Sequence, residues 1–315
     1  MPRDPKLTNV IKNSLIPLEE NLKACVRSAN LQEAKRITAD IQNLLREKGY
    51  NSRLCQNKLI LFEVALEANS IEWALSGLYG IKNKVSSSSR LYLETIVLMT
   101  LCYIRKGDFD NARKYTSLSL KKINNIKSDV RRRKFQKVFT ERVEDEIALF
   151  SIKSNDAHIT VEKVHEESIK LIQSKTEDEI IDIIGNVIPS SSVQQLSHYQ
   201  EFTLSLIPPP DREALPKPIK QEERKEVGRK FSGAIKRVVW KSLCDQSSDI
   251  YKAWSEGLSI VHDKKWIATA VVAAFSKFSI AIPMLAASVV ALAIRFGVGL
   301  FCETFKPDDI MELRR

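Results

Sequence analysis

The sequence predicts an all-α protein in which an array of helical hairpins is followed by a smaller hydrophobic helical module. Three observations carry that prediction. From Leu7 to about Phe150 apolar residues recur at three- and four-residue steps, the period of a helix with one buried face. No proline stands between Pro17 and Pro189 and the whole chain has only 10 Gly, so helices in that span meet few breakers. Three short segments then repeat a pattern: Ala29-Asn30-Leu31-Gln32-Glu33-Ala34, Asn69-Ser70-Ile71-Glu72-Trp73-Ala74 and Gly107-Asp108-Phe109-Asp110-Asn111-Ala112. Their alanines are 40 and 38 residues apart, a spacing suited to stacked helical hairpins.

Each segment sets a small or turn-forming residue ahead of an alanine that opens a new helix. In the third, Gly107 permits a tight turn, Asp108 caps the next helix, and the small Ala112 lets two helices approach closely. With Tyr103 preceding this turn, the chain resembles the tetratricopeptide repeat. The further small residue of that pattern falls at Ser119 and its helix-ending proline position at Asn124; in the first two copies Cys25 and Ala65 stand where the aromatic belongs. The resemblance covers about residues 10–150. It implies a solenoid whose inner face takes a peptide or partner helix, with Ala34, Ala74, Tyr103, Gly107 and Ala112 as turn and packing residues and no catalytic role.

Residues 151–207 read as a helical extension of that 1–150 array. Val161, Val164, Ser168, Ile169 and Ile172 mark one helix face. Thr176-Glu177-Asp178-Glu179 is a capping-box start, and Ile180, Ile181, Ile183, Ile184 and Val187 follow it. Residues 208–220 hold Pro208-Pro209-Pro210, Pro216 and Pro218, which predicts a stiff, extended linker. From Lys220 to Lys241 comes a basic amphipathic helix with Val227, Phe231, Ile235, Val238 and Val239 on one side.

Within the module at 221–315 the chain turns hydrophobic, from Trp266 to Phe305. Phe278 to Ile294 is a run of seventeen uncharged residues, the lower edge of a bilayer span, and Pro283 splits it. Two helical pieces are expected, about 264–281 and 284–303. Three readings follow: core helices of a soluble or oligomerising domain together with helices at 230–262, a constitutive span with Arg295 near one end, or a hairpin that inserts on activation. Basic residues flank both ends (Lys264, Lys265, Lys306, Arg314, Arg315), so charge sets no orientation. Trp266, Phe278, Leu285, Val289 and Leu292 are the candidate membrane or oligomer contacts.

The formal charge of +10 is uneven: +10 over residues 1–150, −5 over 151–210 and +5 over 211–315. The densest basic stretch, Arg105 to Lys137, contains Arg131, Arg132, Arg133 and Lys134, a candidate anion-binding face and the basis of a nucleic-acid reading. The acidic run Glu141, Glu144, Asp145 and Glu146 reads as a charged helix surface.

The N-terminus is followed by no apolar run, which predicts a cytoplasmic chain without a cleaved secretory signal. Its five dispersed cysteines, Cys25, Cys55, Cys102, Cys244 and Cys302, read as buried free thiols. His158, His165 and His198 share no metal-ligand spacing, and phosphate-loop, dinucleotide, zinc-protease and nucleophile-elbow motifs are missing from the sequence. The expected function is therefore non-enzymatic and free of cofactors: a scaffold whose repeats bind a protein partner and whose hydrophobic helices oligomerise or contact membrane. A membrane-acting effector with a repeat sensor and a nucleic-acid-binding helical protein are the alternatives.

Overall fold

The computed structural model describes residues 4–46, 49–154, 159–213, 215–245, 251–252, 265–306 and 309–314. Among these it is all-helical, without strands. His158, Lys264, Arg315 and most of 246–262 lie outside the described residues. The chain divides into two compact units: Met1–Val143 with Leu206–Leu215 and Asp308–Arg315, and Glu144–Ser205 with Pro216–Pro307.

The first unit begins with three hairpins: α1 (Asn9–Ser28) with α2 (Leu31–Leu45), α3 (Asn51–Glu67) with α4 (Ile71–Lys82), and α5 (Arg90–Lys106) with α6 (Phe109–Lys121). The odd-numbered helices also pack on one another, α1 on α3 and α3 on α5. The three hairpin turns are one structure made from three sequences. Ala29, Asn69 and Gly107 each take the left-handed conformation (φ 52°, 60° and 80°). The next residue's N–H then donates back across the helix end: Asn30 to the Cys25 carbonyl (3.2 Å), Ser70 to Ala65 (2.8 Å) and Asp108 to Tyr103 (3.0 Å). That bond satisfies a carbonyl the helix end would otherwise leave open. Asn30 and Asp108 complete the turn by accepting from the N–H of Glu33 and Asn111 (3.1 Å each). Four residues beyond each cap, Ala34, Ala74 and Ala112 are fully buried, where a larger side chain would push the paired helices apart.

The unit closes with the start of α7 (Asp129–Ser151), the short α11 (Pro209–Arg212) and a single 3₁₀ turn, Ile310–Arg314. The division runs through α7, between Val143 and Glu144, and again at both ends of Leu206–Leu215, which holds Pro208-Pro209-Pro210. The first part of the proline-rich segment is helical. Pro208 caps α11, whose first turn accepts prolines because its N–H groups need no intrahelical partner, and Leu215 and Ile219 are buried.

The second unit holds the rest of α7, α8 (Val161–Ser174), α9 (Glu177–Val187), α10 (Ser190–Ser205), α12 (Arg224–Cys244), α13 (Lys265–Lys277), α14 (Pro283–Phe296) and α15 (Val298–Thr304). The capping box at α9 forms, with Thr176 and Glu179 each accepting the other's backbone N–H. α14 is apolar on every side, and from Leu285 to Ala293 it is buried against α8, α9, α12, α13 and α15. α9 and α12 touch backbone to backbone: a Cβ on Gly185 would lie 1.8 Å from the Arg224 carbonyl oxygen, and one on Gly228 2.0 Å from that of Ile181.

Two expectations are corrected here. Cys244 and Cys302 are joined in a disulfide across 58 residues, while Cys25, Cys55 and Cys102 are buried thiols outside any disulfide. The pairing arises because α15 folds back on the end of α12, where the Trp240 indole N–H also donates to the Cys302 carbonyl (2.8 Å). The acidic run of α7 is not a solvated surface either: Glu144 and Glu146 are buried, and Glu144 pairs with Lys230.

Candidate partner-binding groove

Helices α3 and α5 carry carboxylates on faces that are otherwise apolar. Glu63 interrupts Leu59-Ile60-Leu61-Phe62 and Val64-Ala65-Leu66, and Glu94 sits among Leu93, Ile96 and Val97; all of these residues are buried. Charged groups persist in such surroundings only when hydrogen-bonded. Both oxygens of Glu63 accept from the backbone of the 3₁₀ turn, from the N–H of Ile310 (2.7 Å) and of Met311 (3.1 Å). Burial, then the nearby Asp309 and Glu67 carboxylates, outweigh these two bonds and push the Glu63 carboxyl up to about 8. Glu94 accepts from Arg90 Nε (2.9 Å) and Arg314 Nε (2.8 Å), and Arg90 donates on to the Leu313 carbonyl (2.8 Å). The side chains of Ile310 and Met311 are 1% and 4% exposed. The first unit thus holds a short protein segment in a groove on its odd-numbered helices.

Beside this segment a cavity of about 380 Å³ runs towards α1, lined among others by Lys23, Gln56, Ile60, Arg90, Met311 and Glu312. Its floor is ordered by Glu19, which receives Arg53 in a bidentate pair (2.6 and 2.5 Å) and Asn57 (2.9 Å). One turn along α3 from Glu63, Glu67 accepts from Arg105 of α5 (3.3 Å) and from Arg142 of α7, all three groups being buried. Main-chain anchoring, apolar burial and an arginine–carboxylate pair together hold the Ile310–Arg314 turn.

The predicted residues fall elsewhere. Ala34, Ala74, Gly107 and Ala112 build the hairpin turns behind the groove. Tyr103 joins three helices: its hydroxyl meets that of Tyr79 (2.5 Å), and its ring stacks on Tyr115 at 5.3 Å between centroids. Arg131, Arg132, Arg133 and Lys134 lie in the first turns of α7. Arg132 pairs with Asp129 (2.8 Å) and Arg133 reaches Asp211 (3.8 Å), while Arg131 and Lys134 are exposed. In the second unit Trp266 and Phe278 are half-buried, whereas Leu285, Val289 and Leu292 are inside the core and so face protein. Arg295 donates to the carbonyls of Ile172 (2.9 Å) and Lys175 at the end of α8.

Among the described residues no single helix is long and apolar enough to cross a membrane. α14 and α15 reach that composition only as a pair bent by 99° at Gly297. No group of three or more His, Cys, Asp and Glu residues is arranged to hold a metal among the described residues. Sequence reasoning missed Glu63, Glu94 and Ile310–Arg314. Their only signal is two glutamates in apolar helical runs, and an apolar pair followed by arginine after Pro307. Comparison with protein-family models, with curated proteins and with solved structures finds no match to this chain.

Proposed function

We propose that this protein is a non-enzymatic interaction scaffold whose first unit is a tetratricopeptide-like array that binds a protein partner on the face of α1, α3 and α5. One observation carries the reading: this face already accepts a protein segment, main chain and side chain together, through Glu63, Arg90 and Glu94. The three identical turns support the repeat character, because they set the odd-numbered helices side by side and leave one continuous face across them. The second unit acts as a packed helical module. Burial of α14 among its neighbours favours protein over lipid as the surroundings of the hydrophobic stretch.

Site-specific photo-crosslinking in cells tests this. A photoreactive residue replacing Lys23 or Gln56, at the open cavity, is expected to trap a discrete protein that binds again when both are purified. The same residue at Val130, which is 80% exposed on α7, is expected to trap none. Adducts from Val130 alone, or adducts from the groove that nuclease digests, would overturn the reading.

A further inference from the structure

The buried Glu63 accepts two hydrogen bonds, both from backbone N–H groups of the 3₁₀ turn, Ile310 and Met311. Without this turn Glu63 loses both of those donors and Glu94 its second arginine, so the contacts state what the groove accepts. Consecutive N–H groups at the start of a short turn are a sequence-independent requirement. Glu94 asks for a guanidinium, whose fork suits a carboxylate. Between them the Ile310 and Met311 side chains take the apolar floor. The same unit uses the first device elsewhere: Asp4 accepts from the N–H groups of Ser52 and Arg53 (3.0 and 2.8 Å) at the start of α3.

The occupant is a single 3₁₀ turn of five residues, Ile310–Arg314. It also leaves space unused. The cavity beside Met311 and Glu312 continues to Lys23 and Gln56, so a longer segment gains contacts that the tail does not make.

We propose that the α3–α5 groove recognises a protein segment presenting two consecutive apolar residues at the start of a turn and an arginine three residues after the second, and that Ile310–Arg314 is its resident competitor. This rests on the scaffold reading and names the ligand of that site.

The probe is a dye-labelled, end-capped peptide of residues 306–314, followed by fluorescence anisotropy against the full chain and a full-length Ile310→Ser/Met311→Ser variant. The variant is expected to bind the peptide about tenfold or more tightly than the parent, because the tethered competitor is gone. An Arg314→Glu peptide, or Glu94→Gln added to the variant, is expected to lose the binding. Circular dichroism checks that the variant keeps the parent's helix content; if it does not, full-length Arg314→Ala takes its place in the same comparison. Equal affinity for variant and parent, or undiminished binding of the Arg314→Glu peptide, would make the turn a fixed strap and overturn the proposal. Dissociation of a dimer by the peptide would seat a second copy's tail in the groove and overturn it equally. Groove crosslinks from Lys23 or Gln56 without peptide binding would remove this ligand chemistry and leave the scaffold reading standing. Peptide binding without crosslinks would do the reverse.

Discussion

In the first unit α3, α5 and α7 meet over carboxylates and guanidinium groups, Glu67 with Arg105 and Arg142. In the second, α9 and α12 meet backbone to backbone at Gly185 and Gly228, and α14 is buried among its neighbouring helices. The two joints have different uses. An ionic joint fixes which groups face each other. A glycine joint brings helices close. The first interior is ordered by charge pairing and the second by close apposition.

The comparison breaks most visibly at Glu67. Glu67→Ala leaves two arginines buried without their carboxylate and is expected to cost about 3–5 kcal/mol in urea unfolding. A loss below about 1 kcal/mol would show that the ionic joint does not hold the first unit together. Next comes Gly228→Ala, whose methyl meets the Ile181 carbonyl and forces α9 and α12 apart, for about 1–3 kcal/mol. Gly233→Ala on the same helix meets nothing within 4 Å and is expected to be neutral or stabilising by about 0.5–1 kcal/mol. Equal effects at the two positions would dissolve the contrast between the units.

The smallest effect is a pH slope. Glu63 keeps its proton in the folded unit up to about pH 8, whereas its unfolded value is 4.5. Between those values the unfolded chain binds fewer protons, so the contribution is full below pH 4.5 and lost as pH rises through 8. The urea midpoint is expected to fall across that window in the parent and to fall less in Glu63→Gln. Parallel slopes would show that burial and the neighbouring Asp309 and Glu67 do not hold the carboxyl up.

The hairpins are legible in the sequence because a turn is a local event: its left-handed residue, its cap and its buried alanine lie within six positions. The groove is not legible, because Glu63 and the N–H groups it receives stand 247 and 248 residues apart. A glutamate in a helical run also reads by default as solvent-facing, which hid Glu63, Glu94 and the buried part of α7. The same distance problem hid the Cys244–Cys302 bond. The hydrophobic stretch was visible as composition, but only the enclosing helices show what surrounds it.

The three turns share a backbone conformation and differ in what that conformation costs. Glycine enters the left-handed region freely at 107 and asparagine tolerates it at 69, whereas alanine at 29 bears a penalty of about 1–2 kcal/mol. Resistance to opening is therefore graded along the array, weakest at the α1–α2 hairpin and firmest at α5–α6. The α3 and α5 walls of the groove stand on the firmer side of that gradient and its α1 edge on the weaker.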